Sequence, residues 1–136
     1  MTPAERLSGR MPSDADIDAI ARRTLERLPS PFRESLHEIV LLIEPVTDAE
    51  TARGLGLSHP MQLSGLYQGI PLNQQSVSHS GTLPERITLY SRPILAEWRS
   101  TRFSLEQIVS HIVIHEVGHH FGFSDDDMHA LEDSIE

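Results

Sequence analysis

Apolar residues recur at helical spacing near the start of the chain. From residue 14 to residue 28, isoleucine, alanine and leucine return every three or four positions, as they do on the buried face of a helix. Ser13 and Asp16 have the spacing of a capping box, and Pro29 cannot continue a helix. The pattern therefore predicts a first helix over 14–28.

A stronger helix signal lies at 105–121. Ser104 and Gln107 have the spacing of a second capping box, and Gly122 directly follows the last apolar residue, where glycine commonly ends a helix. Apolar side chains occupy most of the circumference of this segment. We therefore expect the helix to be largely buried.

Two short segments predict β-strands. The run 39–43 is entirely apolar and is followed by Pro45, which favours a buried central strand. Residues 86–90 alternate polar and apolar side chains, a pattern typical of a strand with one face in water.

The stretch 58–84 is rich in glycine and proline and keeps no period, so it is predicted to be mainly irregular. Short strands are expected within it near 66–67 and 76–78. Further short helices are predicted in four places: from Pro31 with Ser30 as cap, over 47–56, over 93–98, and after Ser124 with Asp127 as its capping partner.

The composition limits the possible functions. A length of 136 residues fits one domain, and we expect a single domain over 1–136 with a flexible segment at 1–13. Cysteine is absent, which excludes thiolate metal sites and cysteine nucleophiles. The 11 basic residues, all arginine, stand against 20 acidic ones, a net charge of −9. No nucleic-acid partner is therefore expected.

The chain carries no signal for a membrane. Its N-terminus lacks the apolar segment of a signal peptide, and the apolar run 39–43 is far shorter than the roughly 20 residues of a membrane helix. We therefore expect a cytoplasmic protein without a membrane partner.

Five of the eight histidines lie between 111 and 129. Within the long predicted helix, the segment from His115 to His119 reads H-E-x-x-H. Residues four apart on a helix share a face, so the two imidazoles can bind one metal ion. With cysteine absent, histidine and carboxylate are the strong ligands available. Glu116 projects about 100° further round the axis, where it can act as a base on a water molecule.

Two histidines leave a catalytic zinc site incomplete, because such a site takes three protein ligands and one exchangeable water. Gly122 lets the chain reverse, and Asp125 follows six residues after His119, which gives H-E-x-x-H-x-x-G-x-x-D. In a chain of this composition the short motif arises by chance about 4% of the time, and the extended motif about once in several thousand. The extended motif therefore predicts a zinc site at His115, His119 and Asp125.

Each predicted ligand also has a purely structural interpretation. The histidines could be hydrogen-bonded core residues. Asp125 could be only an acid at the start of a helix, where negative charge is favoured. Asp126 and Asp127 are alternative ligands with poorer spacing.

The other polar residues near the motif have weaker assignments. His120 is expected near the site or at the surface, His111 in the core or near the site, and His129 on an exposed face. Met128 is interpreted as a core residue. In the irregular stretch, Tyr67 and His79 are the polar residues that could stabilise an oxyanion. Nothing in their spacing along the sequence supports this role for either residue.

Several segments taken together resemble a known family. The motif at 115–122 with Asp125, the segment 65–72 and the segment 83–90 are similar to the minimal zincin-like metallopeptidase family of bacteria. The similarity extends over roughly 32–128, which is most of the chain.

The resemblance implies a compact α+β fold of the minimal zincin-like type, in which a small mixed sheet packs on the motif helix. It also implies zinc held at His115, His119 and Asp125, with Glu116 as the catalytic base. In zincins generally, a peptide substrate lies along a sheet edge, and 86–90 is the strand predicted to form that edge.

We therefore expect a zinc-dependent metallopeptidase that acts on a peptide or protein, with Glu116 as general base. Two alternatives stay open. One is a metal-stabilised binding or regulatory module without catalysis, which the few residues after Gly122 suggest. The other is a metal-dependent hydrolase of a non-peptide amide.

Overall fold

The computed structural model describes residues 11–30, 32–36, 38–69 and 85–134. Predictions for three places concern residues outside these ranges: most of the flexible segment at 1–13, the strand near 76–78, and His79 as a candidate for oxyanion stabilisation. Within the ranges, five side chains are not described: Phe32, Ser35, Asp125, Leu131 and Ser134. None of the described helices combines the length and the apolar character that a membrane span requires.

Three strands form one mixed sheet: β1 (Val40–Glu44), β2 (Gly65–Gln68) and β3 (Arg86–Tyr90). Their order is β1-β3-β2, with β3 parallel to β1 and antiparallel to β2. The strand expected near 66–67 is thereby confirmed. Because β3 has a hydrogen-bonded neighbour on both sides, it has no free edge.

The predicted places of two strands in the sheet are wrong. The segment 39–43 was expected at the centre, yet in the sheet formed by the described residues β1 lies at an edge, with both ends exposed. The segment 86–90 was expected to be half exposed and to offer a substrate edge, yet β3 is central. Its Ile87 and Thr88, on opposite faces, are 0% and 3% exposed. Both errors have one cause, since burial depends on which distant strands pair, and a local pattern does not contain that information.

The helices lie close to their predicted positions. They are α1 (Asp14–Glu26), α2 (Phe32–Ser35), α3 (Ala49–Gly54), α4 (Ser91–Ser100), α5 (Leu105–Phe121) and α6 (Asp125–Ser134), with a 3-10 turn at Pro60–Gln62. Both predicted capping boxes are formed, at the starts of α1 and α5. α4 is longer than predicted because Pro93 lies in its first turn, where a missing N–H does no harm.

The motif helix α5 is the centre of the fold, because it contacts α1, α4, α6 and β2. Val109, Val113 and Val117 are each 0% exposed, so the predicted burial of this helix is confirmed. One strip of α5 stays open to solvent, and His111 and His119 are exposed on it. The α+β prediction, with a small mixed sheet packed on the motif helix, is confirmed.

Candidate metal centre

Three histidines form a row along the open strip of α5. The ring centroids of His115 and His119 are 5.3 Å apart, and those of His111 and His115 are 6.0 Å apart. The side chain of His119 is 47% exposed, so its ring is accessible from solvent. The structure thus brings His115 and His119 together at the surface of an otherwise buried helix.

Glu116 lies beside this row but faces the sheet. It is 6% exposed, and the space beside Gly65 of β2 is filled by Ile112 and Glu116. One carboxylate oxygen, Oε1, lies 3.1 Å from Nδ1 of His119. Glu116, the predicted base, is therefore held between α5 and β2, in contact with the predicted ligand His119.

The end of α5 is fixed by backbone bonds. The N–H of Phe123 donates to the carbonyl of Gly118 at 2.8 Å, and the N–H of Gly122 donates to that of His119 at 3.2 Å, the pair of bonds of a Schellman motif. The C-terminal end of a helix carries partial negative charge, which favours a cation nearby. The motif therefore occupies the end of α5 at which positive charge is favoured.

Gly122 makes this termination possible, since its φ of 73° is left-handed and an L side chain there costs about 1–2 kcal/mol. Gly122→Ala should lower the free energy of unfolding by about 1 kcal/mol, measured by urea denaturation of the zinc-free protein. Gly122→Asn should lose less, because asparagine tolerates this conformation. An alanine variant as stable as the wild type would contradict this account of the turn.

Asp125 is the first residue of α6, and the described part of the residue is its backbone. Of the two alternative ligands, Asp126 is exposed. Asp127 serves the helix start, because its Oδ2 accepts from the N–H of Ser124 and its own N–H donates to the Ser124 hydroxyl, both at 3.2 Å. The predicted capping pair is confirmed, and it gives Asp127 a structural role.

Among the described side chains, no group of three histidine or acidic residues is arranged as a complete metal site. That set does not include the side chain of Asp125. The histidine pair suits zinc by its chemistry, since neutral imidazole is a common zinc ligand and no thiolate is present to compete. The residues therefore fit two of the three positions of a zinc site.

The neighbouring histidines agree only in part with their predicted places. His120 is buried at 2% exposure, so the surface alternative is wrong for it. His111 was expected in the core or near the site. It lies near the site, beside His115, and the core alternative is wrong, because its side chain is 56% exposed and its Nδ1 lies 2.9 Å from Oε2 of Glu132 on α6. His129 is exposed and Met128 is buried, as predicted. His79 lies outside the described residues.

A second polar cluster lies behind the motif helix, formed by Tyr67, Glu85 and His120. Nδ1 of His120 is 2.7 Å from Oε2 of Glu85, although the ring N–H is not aligned for a regular hydrogen bond. The rings of Tyr67 and His120 meet edge to face at 5.6 Å. The cluster joins the end of α5 to β2 and to the residue before β3.

Burial governs the titration of this cluster. It lowers the pKa of His120, and the charge of Glu85 opposes that effect. Burial, and then the same carboxylate, raise the pKa of Tyr67. The Tyr67 hydroxyl is buried, so it does not face the open strip of α5 and is not placed to stabilise an oxyanion there.

Sequence reasoning missed two features of this region. Glu85 has no sequence signal, because its partner lies 35 positions away and only the fold joins them. The second feature is the close contact of Gly118 with Met128 of α6, for which the sequence does contain a signal. A glycine inside a strongly predicted helix is unfavourable by itself, and it commonly marks a close contact.

Comparison with known proteins leads to the same family as the sequence motif. The sequence model of the zincin-like metallopeptidase family matches residues 36–135. No functionally curated protein matches the chain. Such a family implies a metal cofactor, typically zinc, and a hydrolytic activity on peptide bonds. Because the match covers most of the sequence, the chain belongs to the zincin-like metallopeptidase family.

Proposed function

We propose that the chain is a zinc-dependent peptidase with His115, His119 and Asp125 as metal ligands and Glu116 as general base. The observation that carries the proposal is the pair of histidine rings, 5.3 Å apart, next to a carboxylate that is 6% exposed. Membership of a metallopeptidase family supports the reaction class.

The backbone of α6 supports Asp125 as the third ligand. Asp125, Met128 and Glu132 follow one another at i, i+3 and i+7, so their positions lie on one stripe of the helix. Met128 is buried at 4% exposure, and Glu132 contacts His111 of α5. The stripe that includes Asp125 is therefore the one packed on the motif helix.

Zinc bound at these residues would polarise the scissile carbonyl and lower the pKa of a water molecule. Glu116 takes the proton from the attacking water and delivers it to the leaving amine. Its burial between α5 and β2 excludes bulk water from one side of the carboxylate, and its contact with His119 holds it at the site. The open strip of α5 admits the substrate.

We assign the substrate to the outer edge of β2, in place of 86–90. Within the described residues β2 pairs with β3 alone, so its other edge can add a strand. Gly65 of β2 lies against Ile112 and Glu116, which brings this edge close to the base. An extended peptide bound there would pass over the motif.

The test is hydrolysis of a mixed-sequence peptide library, followed by mass spectrometry of the products. Cleavage should stop when a chelator removes the metal and return when zinc is restored. Cleavage of small amides without cleavage of peptides would favour a non-peptide hydrolase. No hydrolysis of either by the zinc-loaded protein would favour a binding module.

A further inference from the structure

Two contacts between described side chains and backbone join α6 to the motif helix. Close to its start, Met128 packs against Gly118 of α5 and is 4% exposed. Seven residues after Asp125, the Oε2 of Glu132 lies 2.9 Å from Nδ1 of His111. The first contact is buried, whereas the His111 side chain in the second is 56% exposed. Of these two contacts, the buried Gly118–Met128 contact is the one that lies closer along α6 to Asp125.

Gly118 leaves no room for a side chain. A Cβ placed there would overlap both Cγ and Sδ of Met128. Alanine is the better helix former in the interior of a helix, so local propensity does not account for glycine at this position. The absence of a side chain lets α6 approach the backbone of α5 directly.

The geometry points to the Gly118–Met128 contact as the device that positions the third zinc ligand. Gly118 lies one residue before His119, and Met128 lies one helical turn after Asp125 on the same stripe of α6. The contact thus fixes the separation of the two helices at the point where the chain supplies its third ligand. This inference rests on the proposed function, in which Asp125 binds zinc. Gly118 and Met128 are positioning residues and do not touch the metal.

Gly118→Ala tests the inference through the zinc dissociation constant, measured by competition with a chelating dye. The added methyl group should push α6 away and weaken zinc binding by about 10- to 100-fold, the range found when residues that orient ligands are changed. Helix propensity alone would leave the affinity unchanged or improve it. The matched control is Gly54→Ala, where a Cβ would have nothing within 4 Å.

A double variant separates this contact from a general loss of stability. In Gly118→Ala/Met128→Ala the new methyl group occupies space that the methionine has vacated. We expect the double variant to bind zinc as tightly as Met128→Ala alone. A double variant that binds zinc more weakly than Met128→Ala alone would overturn the inference, because the added methyl group would then act independently of the methionine. This comparison also decides the matter if Gly118→Ala alone does not fold.

Asp125→Ala, measured beside these variants, separates the two proposals. Weak zinc binding in both Asp125→Ala and Gly118→Ala supports the inference. Weak binding in Asp125→Ala with wild-type affinity in Gly118→Ala overturns the positioning role and leaves the ligand assignment intact. Wild-type affinity in Asp125→Ala overturns the ligand assignment, and the positioning role with it. The absorption spectrum of the cobalt-substituted proteins should change in the same two variants and in no control.

Discussion

Glu116→Gln should lower the rate of peptide hydrolysis by about 10²- to 10⁴-fold while the zinc ion stays bound. Glutamine has the size and shape of glutamate, so it fits the space between α5 and β2 where Glu116 is 6% exposed. Its amide cannot accept a proton from water at neutral pH, which removes the general base. The measurement is kcat on any peptide that the wild type cleaves, together with metal content.

The matched control for this variant is Glu106→Gln, on the same helix. Glu106 lies in the first turn of α5 with a side chain that is 65% exposed, far from the motif, and its replacement should leave kcat unchanged. Full activity in Glu116→Gln would show that Glu116 is not the general base. Loss of zinc in Glu116→Gln would instead give this residue a structural role in the metal site.

Glu85→Ala should lower the free energy of unfolding by about 2 kcal/mol, because it leaves a polar ring nitrogen of the buried His120 without the carboxylate beside it. The His120 ring is 2% exposed and lies 2.7 Å from the Glu85 carboxylate. The Tyr67 hydroxyl is buried at the same place. The loss is measured by urea denaturation of the zinc-free protein, so that metal binding does not contribute.

The exposed pair His111–Glu132 provides the control, because it joins the same residue types at 2.9 Å with a histidine side chain that is 56% exposed. Glu132→Ala should lower the free energy of unfolding by less than about 1 kcal/mol, as is usual for surface pairs. Equal losses in Glu85→Ala and Glu132→Ala would show that burial does not strengthen the first pair.

The motif helix could be predicted from the sequence because its signals are local. The capping residues, the apolar content and Gly122 all lie within or next to the segment that they define. The α6 start was predictable for the same reason, since Ser124 and Asp127 bond to each other. Spacing along one helix also sufficed to bring His115 and His119 together.

The order of the strands could not be predicted, because it depends on pairing between segments that are far apart in the chain. β3 pairs with both β1 and β2, and this central place overrides the polar and apolar alternation of 86–90. The partnership of Glu85 with His120 has the same origin. The contact of Gly118 with Met128 also joins two helices whose crossing no local pattern specifies. The features that local patterns do not predict are therefore contacts that support the site from other parts of the chain.

Zinc content, measured by native mass spectrometry on the wild type and on His119→Ala, tests the metal site most directly. His129→Ala is the matched control, because His129 is exposed on α6 and has no place in the proposed site. We expect one zinc ion per chain in the wild type and in His129→Ala, and none in His119→Ala. One zinc ion per chain in His119→Ala would contradict the proposed metal centre.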